Sequence, residues 1–382
     1  MIWLTWRQFR AQAWVALAAL TAVAITFAIT GPYLAHLYGT SGIATCQASG
    51  DCASAADNFM ALVKANIPYE IGYFLSLGIM YLAPALMGMF WGAPLVTREL
   101  EARTHRLVWN QSVTRTWWLA VKLGIIGLAS MATAGLLSLM VTLWGAPITR
   151  AAALAATRNG AVYPNRLTPL LFGATGIAPA GYAAFAFVLG VTAGVLIRRT
   201  IPAMALTLAV FAAIQIVMPI VVRPHLIAPV RVSSAFNSAN IEQLWLGSSG
   251  MKVVEPVNIP GAWIIANQTL TPAGQQFTGP ATAACVHNSA SPACQASIGR
   301  LHLRQVVTYE PASRYWALQW YETAIFLAGA LALAGGCFVW VRRRVACPAA
   351  GAGLSGACGR SGRSPGLRGR AAATPDRSPG QG

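Results

Sequence analysis

One short stretch between two long apolar segments is rich in ionisable residues. Residues Arg98–Asn110 contain three arginines, two glutamates and a histidine, and the uncharged segments Ile71–Val96 and Leu123–Thr149 lie on either side. At helical periodicity one face of the stretch is apolar and the others are charged. Glu99 precedes Arg103 by four residues, the favourable order for an ion pair on a helix. The pattern predicts a short amphipathic helix that begins at the first arginine and offers a charged face to a soluble protein.

Residues with metal-binding or catalytic chemistry form no recognisable motif elsewhere. The five histidines, at positions 36, 105, 225, 287 and 302, are scattered, without metal-ligand spacing on one helix. The sequence has no HExxH or CxxC motif, and none of its three lysines follows a glycine, as a phosphate-binding GxxxxGK[ST] loop requires. We therefore expect no metal site, no cofactor and no enzymatic activity in this chain.

The composition is that of a membrane protein. The chain is 56% hydrophobic and 10% charged, whereas about 25% of the residues of soluble domains are charged. Repeated apolar runs are long enough to cross a bilayer. The net charge of +17 does not indicate nucleic-acid binding, because the basic residues stand beside apolar runs rather than together on one element. The predicted fold class is an all-α integral membrane protein with six transmembrane helices and a large outer loop between spans five and six.

The chain divides into five predicted regions. Residues 1–12 form an interfacial amphipathic segment, and residues 13–222 contain spans one to five with the charged loop at 97–117. Residues 223–315 form an extracellular region with little regular structure. The sixth span and its basic stop occupy 316–344, and a disordered basic cytosolic tail occupies 345–382. The predicted spans are Ala11–Tyr33, Tyr69–Val96, Trp118–Trp144, Leu170–Ile197, Ile201–Val222 and Trp316–Val341.

Basic residues at the span ends predict the orientation. Arginines within 7–10, 98–115, 198–199 and 342–344 lie on the side of both termini, which the positive-inside rule makes the cytoplasmic side of the cell membrane. Four of the seven cysteines fall in outer loops. Of their three possible pairings, the local bridges Cys46–Cys52 and Cys285–Cys294 are the simplest, and they suit an oxidising outer compartment.

Small residues and prolines predict how the spans pack. The spacings Gly88-x-x-x-Gly92 and Gly190-x-x-x-Gly194 fit close helix contacts, although a chain with 36 glycines produces several such spacings by chance. Prolines inside spans are expected to kink them; they are Pro84, Pro94, Pro179 and Pro219.

Ionisable residues at mid-depth would indicate an ion-coupled transporter, and the sequence places none there. Lys122 and Glu322 fall near span ends. We expect the Lys122 amine to extend toward the interface. For Glu322 we expect a partner at the interface or in a loop rather than contact with a substrate.

The segments MIWLTWRQFRAQ and PALMGMFWGAPLVTRELEARTHRLVWNQSVTRTWWLAVKL resemble the permeases of ATP-binding cassette (ABC) exporters of the type-2 class, especially an actinobacterial subgroup. The resemblance implies two six-span halves, as a homo- or heterodimer among membrane lipids, that move a hydrophobic or amphipathic substrate by alternating access. A separate cytosolic ATPase subunit would use ATP and dock on the coupling loop at 97–117. Arg103 departs from the family pattern, in which a glycine precedes the threonine. The implied coupling residues are Arg98, Glu99, Leu100, Glu101, Thr104, His105 and Arg106.

A function of a different class fits the same features. The chain could instead be a membrane-anchored sensor or scaffold, with a ligand-binding outer loop and a cytosolic partner-binding loop. A membrane enzyme using residues 223–315 lacks a recognisable constellation of catalytic residues.

Overall fold

The protein is described by a computed structural model that covers residues 2–43, 46, 52–101, 114–154, 164–239, 241, 243–247, 250–257, 259–279, 285 and 291–344. Within these residues six helices are long and apolar enough to cross a membrane, which confirms the predicted all-α membrane fold. We number them spans 1 to 6: Thr5–Thr40, Ile67–Glu99, Thr116–Trp144, Ala178–Ile197, Thr200–His225 and Ala312–Arg342.

The helices that build these spans extend beyond several of the predicted limits. Span 1 in particular continues for seven residues past Tyr33. The helices are α1 (Ile2–Thr40), α2 (Cys52–Ala65), α3 (Ile67–Met87), α4 (Ala93–Glu101), α5 (Arg115–Trp144), α6 (Ala146–Leu154), α7 (Pro169–Phe172), α8 (Ala178–Ile197), α9 (Thr200–Val217), α10 (Pro292–Gly299) and α11 (Tyr315–Arg344).

Two spans contain a π-helical turn next to a proline. In span 2 the turn Gly88–Gly92 joins α3 to α4 and lies between Pro84 and Pro94. In span 5 the turn Met218–Val222 contains a proline at its second position. Proline has no backbone N–H and therefore cannot donate the i→i−4 hydrogen bond of an α-helix. The hydrogen-bond pattern beside it is therefore readily replaced by that of a π-helical turn. Pro179 differs because it lies in the first turn of α8, where backbone N–H groups have no acceptor within the helix, so its missing N–H costs no helical hydrogen bond.

Span 4 is the centre of the bundle and packs against spans 2, 3, 5 and 6. Its contact with span 2 depends on glycine. A methyl group added to Gly88 would lie 2.5 Å from the Ala186 carbonyl oxygen, and one on Gly194 would lie 2.7 Å from the Ala93 carbonyl oxygen. Both distances are too short for any side chain. The predicted small-residue contact is therefore confirmed, and it joins the π-helical turn to the middle of α8.

The expectation of little regular structure in residues 223–315 is wrong. The strands are β1 (Val230–Ala235), β2 (Gln243–Gly247), β3 (Gly250–Val254), β4 (Trp263–Leu270) and β5 (Arg304–Glu310). An antiparallel sheet runs in the order β1–β5–β4, and β2 pairs with β3. Abundant Pro, Gly, Asn and Ser concealed these short strands, and their burial does not alternate strictly: even in β5 the neighbours Val307 and Thr308 are both buried.

As names only, we call the end of the bundle where spans 1 and 2 are joined its outer end and the opposite end its inner end. Both regions at the outer end contain a disulfide. Cys285 bonds to Cys294 beside a small apolar core that includes Met251. Cys46 bonds to Cys52 at the start of α2. This helix lies in the stretch between spans 1 and 2 that was predicted to be a loop. The apolar side of α2 is buried against α6, so this region is a folded cap on the outer end of the first three spans.

Replacing Gly190 with alanine tests the contact between spans 2 and 4. The added methyl group would strike the Gly88 carbonyl oxygen and lie 2.9 Å from the Ala93 backbone nitrogen. Because both neighbours are backbone atoms, we expect Gly190→Ala to lower the free energy of unfolding by about 1–3 kcal/mol. Thermal unfolding of the purified protein in detergent measures the change.

The matched control is Gly335→Ala in span 6, where an added methyl group meets nothing within 4 Å. This variant should unfold at or above the wild-type temperature, because alanine is the better helix former. Equal effects of the two substitutions would contradict the proposed role of the glycine contact.

Candidate functional site

The charged stretch begins inside span 2 rather than as a separate helix. Arg98 to Glu101 form the last turn of α4, which starts at Ala93, so the predicted helix start at Arg98 is wrong. The Thr97 hydroxyl donates a hydrogen bond to the Ala93 carbonyl oxygen at 2.9 Å, and the helix continues through this point without a break. The charged turn is therefore continuous with span 2.

Only the first part of the predicted coupling segment is described by the structure. Arg98 and Glu101 are exposed, Glu99 is half-buried, and Leu100 belongs to the same helical turn. The other three positions, Thr104, His105 and Arg106, lie outside the described residues.

Glu99 links three elements at the inner end of the bundle. It forms a salt bridge with the Lys122 amine of span 3, and it accepts a hydrogen bond from the Gln8 side-chain amide of α1 at 3.1 Å. Lys122 is buried, and its amine lies 4.7 Å from the centre of the Trp118 ring. The expected extension of Lys122 toward the interface is therefore wrong, because a carboxylate and an aromatic face hold its charge inside the protein.

Glu101 links span 2 to the start of span 5. Its carboxylate accepts the Thr200 backbone N–H at 2.8 Å and the Thr200 hydroxyl at 3.0 Å. The same hydroxyl lies 3.0 Å from the Thr97 hydroxyl oxygen. Backbone N–H groups at a helix start have no partner within the helix. Glu101 therefore caps α9 from a different span, and its charge favours that end of the helix dipole.

These contacts join the inner end of span 2 to spans 3 and 5. Glu99 forms a salt bridge with span 3, Glu101 accepts hydrogen bonds from span 5, and Arg98 is exposed beside them. Within the described part of the chain no group of three or more His, Cys, Asp or Glu side chains is arranged to hold a metal ion.

A second charged cluster, at the outer end of the bundle, was not predicted as a unit. Arg223 at the end of span 5 forms two hydrogen bonds with Glu322 of span 6, from Nε to Oε2 at 2.8 Å and from Nη2 to Oε1 at 2.9 Å. The Tyr182 hydroxyl of span 4 donates to the same carboxylate. All three side chains are buried. A buried carboxylate needs such partners, because an uncompensated charge there costs several kcal/mol.

Gln319 completes this cluster by capping span 4. Its side-chain oxygen accepts the backbone N–H groups of Ile177 at 3.0 Å and Ala178 at 2.9 Å. Its amide donates to the Phe172 carbonyl oxygen at 3.0 Å. One signal in the sequence could have revealed the cluster. Polar residues at positions 315, 319, 322 and 323 follow helical periodicity on a single face of span 6.

Comparison with known protein families gives one match. Residues 17–223, which is more than half of the chain, match the family described as "ABC-2 membrane transporter related". No curated protein and no solved structure matches the chain in the corresponding searches. The matched region covers spans 2 to 4, span 1 from residue 17 onward and span 5 up to residue 223, and it includes the whole charged stretch after span 2.

A double-mutant cycle tests whether Glu99 and Lys122 act as a pair. Lys122→Met leaves the carboxylate without its cation, and Glu99→Gln leaves a buried ammonium, so each single variant should lose stability. The double variant should be more stable than the sum of the two losses predicts. We expect a coupling energy of about 1–3 kcal/mol from thermal unfolding in detergent. Additive losses would contradict the pairing.

Proposed function

Because the chain belongs to the ABC-2 membrane transporter related family, whose members are membrane transport subunits, we propose that it is the permease of an ABC exporter powered by a separate cytosolic ATPase. The family match carries this proposal. It also favours transport over the sensor or scaffold function, which has no comparable support. The substrate we propose is hydrophobic or amphipathic, in keeping with the resemblance of the N-terminal half to type-2 exporters.

The coupling segment of this permease is the stretch from Arg98 to Arg106. The ATPase docks there, and its closure on ATP displaces the inner end of span 2. Glu99 transmits the displacement to span 3 through Lys122, and Glu101 transmits it to span 5 through Thr200. The glycine contact carries it to span 4. Two copies, or this chain and a related partner, then alternate between inward-open and outward-open states.

The orientation we propose places both termini and the coupling segment in the cytoplasm. Arginine-rich span ends on that side support it. The two disulfides lie at the opposite end of the bundle, where an oxidising compartment allows them to persist.

The docking proposal requires a charge-reversal variant that leaves the internal contacts intact. Glu99 and Glu101 are unsuitable, because reversing either one would also break a contact with span 3 or span 5. We expect Arg106→Glu to lower co-purification of the ATPase by tenfold or more, since one charged contact to a protein partner contributes about 1.5–3 kcal/mol.

The matched control for docking is Arg342→Glu at the exposed inner end of span 6. It makes the same charge change away from the coupling segment and should leave the amount of bound ATPase unchanged. Wild-type recovery of the ATPase with the Arg106 variant would count against the docking site.

Cysteine labelling of intact cells tests the orientation. In a background with Cys337, Cys347 and Cys358 replaced by serine, a membrane-impermeant maleimide should not label His105→Cys until the membrane is opened. Gln275→Cys, at an exposed position of the outer region, should be labelled at once. The opposite pattern would place the coupling segment outside the cell and would exclude an ATPase partner there.

A further inference from the structure

Spans 1 and 2 are separated by a long apolar groove. Its inner part is a cavity of about 520 Å³ between residues 11–23 of span 1 and residues 79–91 of span 2. Its outer part is a second cavity of about 330 Å³ that extends to Pro68 and Tyr69 at the start of span 2. Val23, Ile79 and Leu137 line both cavities, so the two are continuous.

The groove exists because span 1 packs mainly against span 3 and meets span 2 near its two ends, at Phe9–Trp91 and Tyr33–Tyr69. Span 3 forms its floor, through residues such as Thr133 and Leu137. The walls remain open to the membrane: Val15 is 71% exposed, Leu82 is 53% exposed and Phe90 is 49% exposed. A hydrophobic molecule dissolved in the bilayer can enter from the side.

The inner end of the groove changes from apolar to polar. A third cavity of about 190 Å³ shares Gln12 and Trp91 with the inner cavity and is also lined by Gln8, Arg98 and Glu99. The Gln12 side-chain amide marks the junction, where it donates to the Phe90 carbonyl oxygen at 3.0 Å. Because the Glu99 charge is balanced by Lys122, the exposed Arg98 gives this mouth a positive character.

The length of the inner cavity and the charge at its mouth indicate which kind of molecule fits it. The twelve helical rises from Ala11 to Val23 measure about 18 Å, close to the depth of one leaflet of about 15 Å. An extended acyl chain fits such a cavity, and a negatively charged head group fits the mouth at Arg98.

We infer that this groove is a binding site for an anionic phospholipid of the leaflet on the Arg98 side. One acyl chain lies between spans 1 and 2, and the phosphate pairs with the Arg98 guanidinium, with the Gln8 amide as a further donor. The site shares Arg98 with the coupling segment, yet it needs no ATPase to form. Its test is therefore separate from the test of the transport proposal.

The experiment uses the purified full-length chain in detergent and phosphatidylglycerol with a photoreactive diazirine in one acyl chain. After irradiation, mass spectrometry of the peptides locates the cross-links. We expect them to concentrate on groove residues, above all Val15, Leu82 and Leu86. Ala19→Phe fills the groove and should lower this labelling at least fivefold. Ala18→Phe makes the same change on a neighbouring exposed face of α1 and should leave the labelling unchanged.

Competition with unlabelled lipid tests the head-group contact. Phosphatidylglycerol should displace the probe more effectively than phosphatidylcholine, and Arg98→Gln should reduce this preference about fivefold, since one arginine near the surface contributes about 1 kcal/mol. Arg342→Gln is the control of equal charge and should keep the preference.

Three results would overturn the inference. The first is labelling spread evenly over the lipid-facing sides of all spans. The second is equal competition by the two lipids with the wild-type chain. The third is a dimer that Ala19→Phe dissociates while labelling stays constant, which would mean that a second copy covers the groove.

Discussion

The direct contact between the backbones of spans 2 and 4 is the constraint on which the rest of the structure depends. Lipid-facing helices gain little from apolar burial against one another, so close packing has to supply the attraction. Glycines on both helices allow it, with Gly88 facing the Ala186 carbonyl and Gly194 facing the Ala93 carbonyl. The π-helical turn of span 2 lies at this contact, and its extra residue per turn directs the helix beyond it.

The polar contacts at the two ends of the bundle follow from that geometry. Once spans 2 and 4 are locked together, the last turn of α4 lies beside the starts of spans 3 and 5, where Glu99 meets Lys122 and Glu101 meets Thr200. At the other end, Tyr182 of span 4 meets the Arg223–Glu322 pair of spans 5 and 6. Ionised groups in apolar surroundings require partners, so each cluster specifies one arrangement of its spans.

Local patterns in the sequence predicted the spans and the glycine contact, but not the polar pairs. Apolar runs define a span because length and composition alone decide membrane insertion. Arg223 looked like the first residue of a loop, and Lys122 looked like a residue at the interface, because their carboxylate partners lie 99 and 23 residues away. The strands of the outer region were missed for a related reason. Each is only five to eight residues long, and in the three-stranded sheet the pairing partners β1–β5 and β4–β5 are distant in sequence.

The proposed mechanism requires the inner half of span 2 and the start of span 5 to move as one unit when the ATPase acts. Pulsed electron paramagnetic resonance between spin labels at Phe90 and Ile201, both exposed, measures their separation within one subunit of the ATPase complex, diluted with unlabelled chain. The proposed mechanism predicts one narrow distribution of the distance between the two labels, which ATP binding leaves unchanged. In Glu101→Ala it predicts a broader distribution of that distance. A distance that shifts when ATP binds to the wild-type complex would contradict it.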